Sequence, residues 1–139
     1  MAVEIPEPGQ VFEYYYLWHW QEQRGETEGR KSRPCCVVVV ATNAKGQHVL
    51  FIAPITSKPP RKGRIGVPIP ETEARRARLD TIMPLWIMVD ELNVDILEAS
   101  YVLENRTPLG QFSAAFTNMV IRRTDEVRQT RKISLSRRT

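Results

Sequence analysis

The fold is decided by an apolar stretch at residues 34–41, which reads PCCVVVVA. Side chains on both faces of this stretch are apolar, and valines dominate it, so it predicts a strand that is covered on both sides. Cys35 and Cys36 would point to opposite faces of that strand, where a bridge between neighbours would strain the backbone. We therefore expect two buried, free thiols at the centre of a sheet.

Further strands are expected on either side of this one. Residues 10–20 are rich in Val, Phe, Tyr and Trp and predict one long strand. Residues 43–46, NAKG, predict a hairpin turn into a strand over residues 48–56. Three shorter strands are expected at residues 65–69, 85–90 and 101–103, with a polar corner after residue 90.

Loops and helices fill the remaining sequence. A polar loop is expected at residues 21–32, a basic and proline-flanked loop at residues 57–63, and one or two helical turns at residues 71–78. Apolar residues recur at helical spacing over residues 112–120, which predicts an amphipathic helix from near residue 108 to about residue 131. Five or six short strands with one late helix predict a compact, partly closed barrel.

Positive charge is concentrated in two stretches, although the formal net charge is only +4. Residues 58–78 and residues 122–139 each hold seven basic and two acidic side chains. This pattern favours a polyanion such as RNA or DNA, while solvated faces and a frayed tail would give it too. The 139 residues fit one domain. We place it at residues 1–127, followed by a basic, flexible tail at residues 128–139.

Several classes of function lack their usual signatures. The sequence has no glycine-rich phosphate loop, His-Glu-x-x-His motif or Cys-x-x-Cys pair, so we expect no cofactor and no metal. The longest apolar run, residues 35–41, is far too short to cross a bilayer, and the N-terminus has no signal-peptide pattern. With reduced thiols, these features predict a cytoplasmic protein with no membrane partner.

Three segments carry a resemblance to a known family. They are KSRP at residues 31–34 before the apolar strand, APITSK at residues 53–58, and VDELNVD at residues 89–95. Their order and spacing resemble those of the PemK/MazF toxins of toxin–antitoxin systems. The resemblance implies a mainly β, SH3-like barrel of five to seven strands with a C-terminal helix. It also implies a homodimer that cleaves single-stranded RNA until an antitoxin protein occupies its groove, and contact with DNA through the antitoxin complex.

The resemblance also implies the catalytic residues, which by position are Arg33 and Thr56. Chemistry favours both, because a guanidinium can clamp two phosphate oxygens and a hydroxyl can donate to the same phosphate. RNA contacts are expected from Lys31, Ser57, Lys58, Arg61, Lys62 and Asn93. Asn93 stands where the family usually has an arginine. The general base stays open among Glu26, Glu28 and His19.

Each of these assignments has a structural alternative. Arg33 would be structural if it paired with Asp90 or with a glutamate, and Thr56 could be an ordinary residue at a strand end. His19 fits a half-buried strand histidine as well as a base. At the level of function, the alternatives are a gyrase poison like the CcdB toxins and a non-catalytic module that binds nucleic acid or protein.

Overall fold

The computed structural model describes residues 4–103, 106–131 and 133–139. Within these ranges the chain forms eight strands and three α-helices. The strands are β1 (Gln10–Tyr14), β2 (Arg33–Thr42), β3 (His48–Thr56), β4 (Gly66–Ile69), β5 (Leu85–Met88), β6 (Glu91–Ile96), β7 (Gly110–Gln111) and β8 (Ser134–Arg137). The helices are α1 (His19–Gln23), α2 (Glu71–Arg76) and α3 (Ala114–Thr130).

The strands form one curled sheet in the order β4-β5-β3-β2-β1-β7. Strand β3 also pairs with β6, and β6 pairs in parallel with β8, whereas every other pairing is antiparallel. A register shift between Val37 and Val39 marks a bulge in β2, which bends the strand locally. This mainly β, barrel-like sheet with a C-terminal helix confirms the predicted fold class. The strand count exceeds the expected five to seven because β6, β7 and β8 were not predicted.

The core lies on both sides of β2, as its two-sided apolar pattern predicts. Cys36 and Val38 belong to a cluster that includes the buried face of α3. Cys35 and Val37 belong to a second cluster with Tyr14 and other side chains of β1 and β3. Both cysteines are free and buried, which confirms that expectation. Burial raises the pKa of the Cys36 thiol to about 12 and raises that of Cys35 further.

The predicted long strand over residues 10–20 is wrong in its second half. β1 ends at Tyr14, and α1 begins at His19. The backbone can leave the sheet because distant side chains accept its N–H groups. Asn93 Oδ1 accepts from Leu17 N at 2.8 Å, and Glu91 Oε1 accepts from His19 N at 3.1 Å. These partners come from β6, so the local sequence could not reveal them.

Two further expectations need correction near the C-terminal helix. Residues 101 and 102 form bends and residue 103 has no regular structure, so the predicted strand is absent there. Helix α3 begins at Ala114, later than the expected residue 108, because Ser113 caps it by accepting a hydrogen bond from Phe116 N at 3.2 Å. In the described part of the chain, no helix combines the length and the apolar character needed to cross a membrane.

The segment predicted as a polar corner is the buried strand β6. Its residues Glu91 to Asp95 are all buried, although three of the five are polar. β8 covers the outer edge of β6, with Leu135 opposite Leu92 and Ser136 opposite Asn93. The expectation of a flexible tail from residue 128 therefore does not hold for β8. The basic composition of the tail gave no indication of this strand. Ser136, which lies between two exposed residues of β8, is buried.

Candidate active site

The two predicted catalytic residues lie at adjacent strand ends. Arg33 is the first residue of β2, and Thr56 is the last residue of β3. These strands are antiparallel, with Cys35 opposite Pro54. Extending this register by two residues sets Arg33 opposite Thr56. Directly opposed residues carry their side chains on the same face, with Cβ atoms about 4.5–5.5 Å apart.

The bulge in β2 decides which residue faces Arg33. Near the hairpin, Val39 is opposite Phe51, and beyond the bulge Val37 is opposite Ile52. If the register near the hairpin continued without the bulge, Arg33 would lie opposite Ser57. With the one-residue shift of the bulge, the register extended beyond Cys35 sets Arg33 opposite Thr56 instead.

A groove of about 340 Å³ opens at these strand ends. Four of the predicted site residues line it: Lys31, Arg33, Thr56 and Ser57. Its size falls within the range of about 300–1,000 Å³ typical of ligand sites. The sequence prediction therefore identified residues that the fold brings together from two separate segments.

Arg33 lies against an aromatic ring instead of a carboxylate. Its guanidinium carbon lies 5.0 Å from the centre of the Trp18 ring. In the described part of the chain, no carboxylate forms an ion pair with it. Asp90, the partner considered for a structural Arg33, instead binds Arg64, whose Nε lies 2.7 Å from Oδ2. The structure thus gives no support to an Arg33–Asp90 pair.

The hydroxyl of Thr56, which lines the groove, is oriented by the backbone of the next turn. Its Oγ1 accepts a hydrogen bond from Lys58 N at 3.1 Å, which fixes the turn that follows β3. The backbone of Thr56 is paired with Trp86 of β5. Since the hydroxyl oxygen acts as an acceptor here, its proton can be donated to a ligand in the groove.

The other predicted RNA contacts have different positions. Lys58, Arg61 and Lys62 are exposed on the loop after β3 and do not line the groove. Asn93 is fully buried, where its Nδ2 donates to Leu17 O at 2.7 Å and its Oδ1 accepts from Leu17 N. An RNA contact from Asn93 is therefore wrong, because its amide is buried and bonded to the backbone.

The three candidate bases all lie outside the groove lining. Glu26 binds Arg30, with 2.8 Å between Oε2 and Nη2, and this hydrogen bond lowers the pKa of the carboxyl. His19 lies on α1, where its backbone N–H is bonded to Glu91. Glu28 is exposed on the loop after α1. The fold does not bring any of these residues to Arg33 and Thr56 in the groove.

The acidic residue that does line the groove is Asp80, which the sequence analysis missed. Arg78 adopts a left-handed φ of 59°, which reverses the chain after α2. The reversal buries Leu79 and brings Asp80 to the groove, where Oδ1 accepts a hydrogen bond from Ile82 N at 2.9 Å. The spacing Asp80-x-Ile82 is that of an Asx turn, which was the available sequence signal.

An apolar wall was also missed. Met83 and Leu85 line the groove together with Leu79 and Ile55. Met83 is 56% exposed, so much of its side chain is accessible to a ligand. The groove therefore combines two cations, one carboxylate, hydroxyls and an apolar wall among the described residues.

A second group of residues, four charged and three polar, does not line the groove, and we call it the β6 polar cluster: Arg64, Asp90, Glu91, Asn93, Asp95, Tyr14 and Tyr16. Arg64 binds both Asp90 and Glu91, at 2.7 Å in each case. The hydrogen bond to Asp90 is the main reason that the pKa of Arg64 is raised. The hydroxyls of Tyr14 and Tyr16 donate to Asp95 and Glu91. Burial, above all, raises the pKa of both tyrosines.

Over the described residues, no group of three or more His, Cys, Asp or Glu side chains is arranged to hold a metal ion.

Comparisons with known proteins indicate which family the chain resembles. Neither a curated protein nor a solved structure matches the chain. Residues 14–127 match the family of the PemK-like, MazF-like toxin of type II toxin-antitoxin systems. The match spans both strand ends of the groove and most of the chain, and the protein therefore belongs to the PemK/MazF family of toxins.

Proposed function

We propose that this toxin is a metal-independent endoribonuclease that cleaves single-stranded RNA. Toxins of this family are generally endoribonucleases. The observation that supports the activity here is that Arg33 and Thr56, from the ends of two neighbouring strands, line the same groove. Arg33 carries a positive charge that no carboxylate in the described residues neutralises.

The proposed reaction uses the substrate's own 2′-hydroxyl as the nucleophile. A bond forms between O2′ and phosphorus, and the bond from phosphorus to the 5′-oxygen breaks. Arg33 stabilises the dianionic phosphorane through two N–H donors, while Thr56 donates its hydroxyl to the same phosphate. The products are a 2′,3′-cyclic phosphate and a 5′-hydroxyl end, the latter formed when the leaving oxygen takes up a proton from water.

The reaction also needs a base for the 2′-hydroxyl proton. We assign this role to Asp80, since it is the acidic side chain that lines the groove among the described residues. One of its oxygens is bound to Ile82 N, which orients the carboxylate. Replacing Asp80 with Asn keeps the shape and the Asx turn but removes the base. General-base catalysis contributes about 10²–10⁴-fold, so cleavage should fall by that factor.

The partners follow from the same groove and its surroundings. Lys31 and Ser57 would contact RNA within the groove, and Lys58, Arg61 and Lys62 would attract the backbone beside it. An antitoxin that covers the groove would block the substrate, and DNA would be contacted through that complex. We expect a homodimer, which sedimentation at micromolar concentration would detect.

The deciding experiment compares Arg33→Ala, Thr56→Ala and Arg33→Lys in EDTA, with single-stranded RNA as substrate. The two alanine variants should cleave about 10²–10³-fold more slowly, which is the usual effect of removing one donor to a developing oxyanion. Arg33→Lys should restore little activity, because an ammonium group cannot make the two-pronged contact. Arg123→Ala, on the exposed face of α3, is the matched control and should cleave at the parent rate.

The same assay separates the alternatives. A binding module would show no turnover, and its RNA affinity would decline gradually with each lost cation. A gyrase poison would leave RNA intact in the parent protein. Strict dependence of cleavage on added magnesium would contradict the proposed chemistry. If Arg33→Ala melts far below the parent while its folded fraction still cleaves normally, Arg33 is structural.

A further inference from the structure

Arg33 differs from five other arginines of the toxin in how its guanidinium is held. Among the described residues, Arg30, Arg64, Arg75, Arg123 and Arg128 each bind a carboxylate within 3.3 Å. Arg33 has no such partner there and lies over the ring of Trp18. The residue proposed for catalysis is therefore held by an aromatic face.

Trp18 is itself held at two points, its ring and its backbone. Tyr16 meets it edge-on, with 5.1 Å between ring centres and an angle of 71° between the planes. Tyr16 is buried, and its hydroxyl donates to Glu91 at 3.1 Å. The backbone N–H of Trp18 donates to Oε1 of Gln21, a buried side chain of α1, at 3.0 Å. The aromatic support is thus anchored to the core.

The type of contact matters for the chemistry of the guanidinium. A carboxylate partner binds the N–H groups and cancels the charge that a phosphate requires. A ring attracts the cation through its π face and forms no hydrogen bond to the N–H donors. Arg33 can therefore be held in place while its five N–H donors and its full charge stay available.

We propose that Trp18 is a positioning residue that holds the guanidinium of Arg33 at the groove in a form ready to bind phosphate. The inference rests on the proposed function of the groove, and it adds a residue outside the groove lining to the catalytic machinery. A displacement of about 1 Å at a reacting group can lower a rate about 10²-fold. Loss of the ring should therefore act on turnover more than on RNA binding.

The test compares Trp18→Leu, Trp18→Phe and Trp20→Leu. Trp20 is a matched control because it lies on the same segment and also contacts two arginines, Arg24 and Arg30. Neither of these arginines lines the groove. We expect Trp18→Leu to lower kcat about 10–100-fold with little change in KM. Trp18→Phe, which keeps a smaller ring, should lose less, and Trp20→Leu should match the parent protein.

A second measurement does not depend on cleavage. In the parent protein, the Nε–H proton of Arg33 should be shifted upfield by the ring current of Trp18, with the signal identified by its loss in Arg33→Lys. The shift should disappear in Trp18→Leu and persist in Trp20→Leu. A normal shift in the parent would overturn the inference, even if Trp18→Leu failed to fold.

The outcomes separate this inference from the proposed function. If the parent does not cleave RNA, the proposed function fails, and the proton shift alone tests whether the ring holds Arg33. If the parent cleaves and Trp18→Leu retains the parent kcat, the positioning role is wrong. If Trp18→Leu raises KM and leaves kcat unchanged, the ring binds RNA directly, and the positioning role is again wrong.

Discussion

The groove and the β6 polar cluster each contain an arginine, but in opposite surroundings. Arg33 at the groove lies over Trp18 and has no carboxylate partner among the described residues. Arg64 in the cluster binds two carboxylates, Asp90 and Glu91, which are 5% and 3% exposed. Arg64 therefore uses its positive charge to bind carboxylates within the fold, whereas the charge of Arg33 stays available. Of the two, only Arg33 is free to bind an anionic ligand.

The largest loss of stability should come from removing the charge of Arg64. Arg64→Ala leaves two buried carboxylates without their shared cation, and breaking a buried pair costs about 3–5 kcal/mol. We expect the lower end, about 3 kcal/mol, because the Arg64 side chain is itself 37% exposed to solvent and because Asp90 keeps its bond to Ile65 N. Arg33→Ala should change the unfolding free energy by less than about 1 kcal/mol, as usual away from buried partners. Urea unfolding of both variants measures this difference.

Arg61→Ala is the matched control for Arg64→Ala, since it removes the same charge from the same loop at an exposed position. It should unfold like the parent. Equal stability losses in Arg33→Ala and Arg64→Ala would break the comparison and would move Arg33 into the structural class. Any residual cleavage by the folded fraction of Arg64→Ala should proceed at the parent rate.

A second, smaller loss of stability should distinguish two neighbouring arginines of the C-terminal segment. Nη1 of Arg138 donates to Tyr15 O at 2.6 Å, and the guanidinium lies 5.5 Å from the centre of the Tyr14 ring. Arg137 is exposed on β8. Hydrogen bonds to charged groups contribute about 1.5–3 kcal/mol, so Arg138→Ala should lose that much stability, and Arg137→Ala should lose less than about 0.5 kcal/mol.

The same pair tests whether the tail also contributes to RNA affinity. Each variant removes one positive charge, so each should reduce the salt dependence of RNA binding to a similar, small extent. Thermal unfolding and binding at two salt concentrations provide both measurements. If Arg138→Ala and Arg137→Ala unfold at the same temperature, the packing of this segment does not stabilise the fold.

The smallest change in stability should come from breaking an exposed ion pair. His48 Nδ1 lies 2.6 Å from Oε2 of Glu98. The hydrogen bond to His48 is the main reason that the pKa of Glu98 lies below its ordinary value of 4.5. A carboxyl with a lowered pKa stabilises the fold above its unfolded value, and the contribution is lost as pH falls through the folded value.

The parent should therefore lose this increment of stability below about pH 4.5. Glu98→Gln should lack it at every pH, so the difference in Tm between the two proteins should shrink on acidification. A difference that stays constant from pH 7 to pH 3 would show that the pair contributes nothing through ionisation. The size should be near the median for exposed pairs, about 0–1 kcal/mol.

The comparison also explains which predictions from the sequence succeeded. Residues that form a continuous local pattern were predicted well: the apolar strand β2, the hairpin into β3 and the helix α3. The buried polar strand β6 was missed, because Glu91, Asn93 and Asp95 look solvent-exposed in any local pattern. Their partners come from distant parts of the chain: Tyr14 binds Asp95, Tyr16 and Arg64 bind Glu91, and the backbone of Leu17 binds Asn93.

The sequence by itself determined the central strand, the hairpin and hence the approach of Arg33 to the end of β3. Hydrophobic alternation and turn chemistry act over a few residues, so they can be read locally. Only the tertiary structure decided that the register at the end of β2 directs Arg33 towards Thr56 and not Ser57, because a one-residue bulge within a uniform run of valines has no local signature. It also decided that Trp18 supports Arg33 and that Asp80 enters the groove. These contacts join segments that are distant in sequence, and their geometry follows from how the whole sheet packs.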